Sequence, residues 1–153
     1  IIIPRHIDRV EKIIELMDKN QLKVIKHSSN KSINKNTDIY LVDTYGEASD
    51  FYDLSNVCFM GGSVINHGGQ NPLEPARFGC KILHGPNIQN FTEVYRLLNK
   101  ENLSFKFYNT NQLAKSVNQS LNQNINFSKK ITKLKKIGSN ILNHTSTEIN
   151  CFL

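Results

Sequence analysis

The chain has 153 residues, 39% of them hydrophobic, which is enough for one domain with a core of its own. Its formal net charge of +6 is compatible with a nucleic acid, an anionic membrane surface or an acidic small molecule as a partner, or simply with a lysine-rich composition. The three cysteines show neither metal-ligand spacing nor a disulfide framework, so we expect no metal ion and a reducing compartment. No window contains the roughly 18 apolar residues that a membrane-spanning helix needs, and we expect a soluble chain.

Strand-like and helix-like segments alternate along the chain. The predicted strands are 1–3, 22–25, 38–42, 57–60, 81–83 and 103–108, the last of them at a sheet edge. The predicted helices are 8–20, 47–54, 72–78, 87–99, 112–121 and 127–142. This alternation predicts an α/β fold, a Rossmann-like parallel sheet with helices on both faces.

A glycine-rich segment, residues 59–76, interrupts an apolar run and then continues as a helix. Its first glycines follow the predicted fourth strand, at the edge where open α/β sheets bind ligands. Asn71 suits the N-cap of the next helix and Glu74 follows three residues later, so backbone amides should face an anion such as a phosphate. The alternative is an ordinary strand-turn-helix connection, in which the glycines serve only close packing.

Four motifs in this chain resemble the Kdo transferases, the family that attaches 3-deoxy-D-manno-octulosonic acid (Kdo) to lipid A. Gly61-Gly-Ser63 followed by Gly68-Gly-Gln-Asn-Pro-Leu-Glu-Pro75 resembles the donor-binding signature of that family. The other matches are Ile3-Pro-Arg-His6, Asp43-Thr-Tyr-Gly-Glu47, and Gly85-Pro86 with Asn90-Phe91. Together they span most of residues 1–98, although Ile7 stands where the family usually has proline and no motif follows residue 99.

The resemblance implies that residues 1–153 are the C-terminal, nucleotide-sugar half of a two-domain GT-B glycosyltransferase. Its donor would be CMP-Kdo and its acceptor a lipid A precursor of lipopolysaccharide biosynthesis, at the cytoplasmic face of the bacterial inner membrane. The general base of the family belongs to the N-terminal domain, so we expect no catalytic residue here and no activity of this chain alone. No cofactor or metal ion is implied. Because the chain begins inside a predicted buried strand, at Ile1, we expect an upstream part of the protein to be missing.

The resemblance also implies which residues contact the donor. Glu74 would accept hydrogen bonds from the ribose hydroxyls, with helix capping as its alternative role. Gly62, Ser63 and the amides near Asn71 would hold the phosphate. Arg5 would bind the phosphate and His6 would contact the donor, the alternative for Arg5 being an ordinary surface charge. Secondary candidates are Gly46, Glu47, Gly61, Gly69, Gln70 and Asn90, of which Asn90 would cap or orient a helix and Glu47 would border the base.

Other functions stay open at this point. A UDP-sugar transferase or an epimerase of the same fold would use a similar glycine loop and helix glutamate, and a nucleotide-binding module would carry no transfer chemistry. Four lysines on one face of the last helix either contact an anionic membrane or face solvent: Lys129, Lys130, Lys133 and Lys136. No nucleic acid is expected as a partner, because aromatic residues are not interleaved with these lysines.

Overall fold

The structure is a computed structural model that describes residues 1–122 and 128–151, without the side chains at 128–131, 133 and 141. Contacts within the chain divide it into two compact units, Ile1–Phe51 and Tyr52–Leu153. The boundary falls inside a short helix, α2 (Ala48–Asp53). That residues 1–153 form a single domain of a larger protein stays a prediction.

The first unit contains an amphipathic helix and two short parallel strands. Helix α1 (Val10–Lys19) follows a 3-10 turn and buries Val10, as its apolar spacing predicts. Strands β1 (Val24–Lys26) and β2 (Ile39–Leu41) pair in parallel. Of the predicted first strand only Ile2 takes part in pairing, through a parallel bridge to the last residue of β2.

The second unit is built on three parallel strands and the helices that connect them. Strands β3 (Val57–Phe59), β4 (Lys81–His84) and β5 (Ser104–Lys106) are paired in that order, which places β5 at an edge as predicted. Parallel neighbours need a crossover, which α3 (Leu73–Arg77) and α4 (Thr92–Lys100) provide. Two helices follow, α5 (Thr110–Asn122) and α6 (Ser128–Asn150). The predicted α/β class with parallel strands is therefore confirmed.

The core of the second unit lies between β4 and its two crossover helices. Every residue of β4 is buried. Its fully or nearly buried apolar neighbours include Met60, Ala76, Tyr95, Leu98 and Leu103. This packing fixes the carboxyl ends of β3 and β4, the edge at which the glycine-rich segment begins.

The three cysteines are free and differ in exposure. The buried Cys80 thiol lies 3.3 Å and 3.2 Å from the carbonyl oxygens of Tyr52 and Ser55, and burial raises its pKa to about 12. Cys58 is partly buried, which raises the pKa of its thiol to about 11, whereas Cys151 is exposed. Cys58 and Cys80 thus act as small apolar residues, as predicted.

The long last helix was predicted to present a lysine face. In α6 the Lys136 side chain is exposed, while the side chains of Lys129, Lys130 and Lys133 lie outside the described residues. A membrane contact of this face stays a prediction. In the described ranges, no helix has the length and apolar character needed to cross a bilayer.

Candidate functional site

The glycine loop, residues 61–71, joins β3 to α3 at the carboxyl edge of the sheet. The Met60 amide donates to the Leu83 carbonyl at 2.9 Å, so strand pairing continues up to the first glycine. Gly62 and Gly69 have φ values of +71° and +76°, a left-handed conformation that side chains disfavour. The Gly69 amide donates to the Gly62 carbonyl at 3.2 Å, so the loop closes on itself.

Ser63 fixes the beginning of this loop. Its side chain is fully buried, and its hydroxyl donates to the Met60 carbonyl at 2.6 Å and accepts from the Gly85 amide at 2.9 Å. The Ser63 carbonyl in turn accepts from the Asn87 amide at 2.9 Å. A Cβ atom at Gly85 would overlap the Ser63 carbonyl, so only glycine fits there. The hydroxyl points into the protein, and the predicted phosphate contact would require it to leave Met60.

Asn90 supports the middle of the loop. Its amide donates to the Gly68 carbonyl at 3.2 Å, and its side-chain nitrogen donates to the His67 carbonyl at 3.3 Å. Asn90 was predicted to cap or orient the following helix, and capping is wrong, because no side chain caps α4 and the side-chain amide of Asn90 donates to the loop. That it orients the helix stays a prediction. Asn87 makes a similar contact, from its side-chain nitrogen to the Val64 carbonyl at 3.1 Å.

The loop ends at the start of α3. Asn71 was predicted as the N-cap, but Pro72 takes that position, while the Asn71 side-chain oxygen still accepts the Leu73 amide at 3.1 Å. Glu74 lies in the first turn of α3, with an exposed side chain. Its carboxylate makes no hydrogen bond or ion pair with any residue in the described part of the chain, so a ligand could use it.

The predicted residues of the first unit lie after β2 and after Ile2. Arg5 and His6 are exposed, in the bend that follows the Ile2 bridge. Gly46 has a φ of +88°, which explains a glycine in this turn. The neighbouring Glu47 accepts a hydrogen bond from the Thr44 hydroxyl.

Two carboxylates in this turn already have partners in the first unit. Asp43 accepts bonds from the Ser28 amide at 2.9 Å and the Ser28 hydroxyl at 2.6 Å. Burial raises the pKa of Asp43, but these two bonds outweigh it and keep the pKa below its usual value. The Thr44 bond lowers the pKa of Glu47, whose carboxylate also lies 3.4 Å from His27 Nε2. Sequence reasoning missed His27, because nothing local indicates that it reaches Glu47.

Two further residues that sequence reasoning missed lie under the glycine loop. The buried Tyr95 hydroxyl donates to the Gln70 carbonyl at 3.2 Å. His84, the last residue of β4, places Nδ1 2.7 Å from the Gly85 carbonyl. Burial lowers the pKa of His84, so its ring favours the neutral form with the proton on Nδ1. Its position directly before Gly85, at a strand end, was the one available signal.

The structure therefore brings part of the predicted set together. The second unit gathers the candidates of the loop and its support: Gly61, Gly62, Ser63, Gly69, Gln70, Asn71, Glu74 and Asn90. The remaining candidates belong to the first unit: Arg5, His6, Gly46 and Glu47. The donor contact of each residue stays a prediction.

Among the described residues, neither a cluster of metal ligands nor the cleft between α3, α4 and α6 coincides with the glycine loop. No three potential metal ligands cluster among the residues whose side chains are described, and independence from metal stays a prediction. This cleft has a volume of about 610 Å³, and Leu73, Leu97, Leu134 and Leu142 are among the residues that line it. None of its lining residues belongs to the glycine loop, so the hydrogen bonding of the loop, rather than cavity size, identifies the candidate site.

Comparison with known proteins gives three informative matches, although no protein-family model matches the chain. The 3-deoxy-D-manno-octulosonic acid transferase of Haemophilus influenzae is 38% identical over 98 residues, which are 64% of this chain and 23% of that protein. The enzyme of the same name from Rickettsia prowazekii is 32% identical over 124 residues, 81% of this chain and 27% of that protein.

The third match is a solved structure. The crystal structure of the C-terminal CMP-Kdo binding domain of WaaA from Acinetobacter baumannii has a TM-score of 0.78 and 29% identity, covering 88% of this chain and 72% of that one. The predicted resemblance and the predicted GT-B type of fold are thus confirmed. The chain spans only 23% and 27% of the two enzymes, about a quarter of their length.

Proposed function

We propose that this chain, which has the sequence and fold of the C-terminal domain of a Kdo transferase, binds CMP-Kdo as a sugar donor. Within the full-length protein it would serve the transfer of Kdo to a lipid A precursor in lipopolysaccharide biosynthesis. The observation that carries the proposal is the glycine loop at the carboxyl edge of β3 and β4, in a fold similar to a CMP-Kdo binding domain. The acceptor site and general base would lie outside this chain.

Backbone amides support the phosphate part of the proposal. The amides of Gly61 and Gly62 directly follow a paired strand, are partly exposed and donate to no acceptor in the described part of the chain, whereas Ser63 is fully buried. Consecutive free amides of this kind bind anions. The Ser63 hydroxyl would hold these amides in place from below, through its bond to the Gly85 amide.

Glu74 supports the ribose part. Its exposed carboxylate begins α3 directly after the loop, and a carboxylate can accept both hydroxyls of a ribose. Arg5, His6, Gly46 and Glu47 are proposed as further donor contacts from the first unit. No metal ion or cofactor is part of the proposal, because the free amides and side-chain donors suffice to bind a phosphodiester.

The first prediction is that Glu74→Ala weakens CMP binding by more than tenfold. Loss of a carboxylate that accepts two hydroxyl bonds costs about 1.5 to 3 kcal/mol. Isothermal titration calorimetry with CMP measures the effect, with and without EDTA, which should make no difference. The matched control is Glu93→Ala, since Glu93 is an exposed carboxylate of α4 that pairs with Arg96.

The same titration decides between nucleotides. CMP should bind more tightly than UDP or ADP, whereas a preference for UDP would favour a UDP-sugar enzyme and equal weak binding would favour a module without transfer chemistry. A Glu74→Ala variant that binds CMP as tightly as the parent would contradict the ribose assignment.

We propose that the full-length protein is located at the cytoplasmic face of the bacterial inner membrane. Fractionation of cells tests this location.

A further inference from the structure

Two buried side chains lie beneath the glycine loop and are not among the predicted donor contacts. His84 is 3% exposed and ends β4, and Tyr95 is 2% exposed and lies in α4. Their rings are in contact, with centroids 4.4 Å apart and planes tilted by 50°. Such a tilted aromatic contact is a favourable geometry.

His84 holds the beginning of the loop indirectly. Its Nδ1 proton is donated to the Gly85 carbonyl at 2.7 Å, which orients the peptide after β4. The Gly85 amide donates to the Ser63 hydroxyl at 2.9 Å. The orientation of one imidazole thus affects Ser63, the residue directly after the two glycines with free amides.

Tyr95 holds the end of the loop directly. Its hydroxyl donates to the Gln70 carbonyl at 3.2 Å, next to the Gly69 amide that closes the loop. The ring itself is fixed by the core, and the Ser104 hydroxyl donates to the Tyr95 carbonyl at 3.3 Å. The two ends of the loop are therefore connected through a pair of packed rings.

We propose that His84 and Tyr95 are positioning residues that set the shape of the glycine loop for its ligand without touching that ligand. A glycine-rich loop has many accessible conformations, and fixing it in advance removes an entropic cost from binding. The consequence for the donor rests on the proposed function, whereas the effect on the loop does not.

Hydrogen exchange in the Tyr95→Phe variant tests the end of the loop. This variant keeps the ring and removes only the bond to the Gln70 carbonyl. Exchange of the Gly69 amide, which donates to the Gly62 carbonyl, should rise about fivefold relative to the amides of β4, the expected effect of one lost hydrogen bond. CMP affinity should fall by up to about the same factor. Tyr52→Phe is the matched control, because the Tyr52 ring contacts Phe78 and its hydroxyl has no bond to the loop.

A second pair of variants tests the beginning of the loop. His84→Leu removes the donor to Gly85 and should raise exchange of the Gly85 and Asn87 amides, which donate to the Ser63 hydroxyl and carbonyl, relative to β4. His84→Asn, whose amide nitrogen can take the place of Nδ1, should restore the parent ratio. Unchanged ratios in both Tyr95→Phe and His84→Leu would overturn the proposal. A parent chain that binds no CMP would instead reject the proposed function, and the exchange ratios would still decide the role of the pair.

Discussion

The buried imidazole of His84 makes the stability of the chain depend on pH near neutrality. Burial lowers its pKa, the Gly85 carbonyl opposes this, and the nearby Lys106 adds to the lowering. In the unfolded chain the ring gains a proton at about pH 6.5, before the folded ring does. The neutral ring therefore stabilises the fold above that pH, and the contribution is lost as pH falls through the lowered pKa.

We predict that the free energy of unfolding falls between pH 7 and pH 5.5, and falls less in His84→Asn. Below the pKa of the unfolded ring and above that of the folded ring, the loss should be about 1.4 kcal/mol for each pH unit. Urea denaturation at a series of pH values measures it. Asp43 and Glu47 have lowered pKa values, so they act at more acidic pH. An equal slope in His84→Asn and the parent would contradict the prediction.

At the scale of elements, the loop between β3 and α3 depends on glycine at particular positions. Gly68 has a φ of +84°, and a Cβ atom there would overlap the side-chain amide of Asn90. Gly68→Ala should therefore destabilise the chain by at least about 1 to 2 kcal/mol, the cost of a left-handed residue. In an Asn90→Ala background the cost should be smaller, because the overlap is removed and the two substitutions are coupled.

Urea denaturation of both single variants and the double variant gives the coupling energy. The matched control is Gly138→Ala in α6, since no atom lies within 4 Å of a Cβ at Gly138. A helical glycine replaced by alanine should stabilise the chain by about 0.5 to 1 kcal/mol. If Gly68→Ala and Gly138→Ala change the free energy of unfolding equally, the overlap at Gly68 does not occur. The same conclusion follows if the effects of Gly68→Ala and Asn90→Ala are strictly additive.

The spacing of residues along the sequence predicted the helices and strands better than it predicted the hydrogen bonds between them. The apolar spacing of Val10, Ile13, Ile14 and Met17 was sufficient to predict α1, and the alternation of segments was sufficient for the parallel α/β class. The roles of Ser63 and Asn90 were not predictable in this way. Ser63 bonds to a residue 22 positions later, and Asn90 to one 23 positions earlier. Such bonds depend on which strands become neighbours, which short-range periodicity does not specify.

The same reason explains the first strand and the residues under the loop. Ile1 to Ile3 are apolar enough for a strand, yet only Ile2 finds a partner, because pairing needs a neighbour with matching backbone groups. Tyr95 reaches the Gln70 carbonyl from 25 residues away. The family motifs located the loop, but they did not indicate what lies beneath it.

At the scale of the whole molecule, we predict that residues 1–153 alone do not transfer Kdo. Transfer needs the acceptor hydroxyl held opposite the departing phosphate and deprotonated there. Two carboxylates could be considered as the general base. Glu74 is proposed to bind the ribose, and the Glu47 carboxylate already accepts a hydrogen bond from the Thr44 hydroxyl. An open site would also admit water in competition with the acceptor.

An assay with CMP-Kdo and a lipid A precursor tests this division of labour. The purified chain should give no Kdo-lipid product, while the full-length protein gives product under the same conditions. Product from the chain alone would mean that the general base lies within these 153 residues.

The unequal burial of the three cysteines has a practical consequence for labelling. Thiol reagents attack the thiolate, which the raised pKa values of Cys58 and Cys80 make scarce at neutral pH. Cys151 is exposed near the end of α6, so a fluorophore can be attached there while the fold is intact. Cys80 becomes accessible only when the core opens. In a Cys58→Ala variant, which lacks the partly buried thiol, the rate at which a second label enters the chain therefore reports how often the core around Cys80 opens under native conditions.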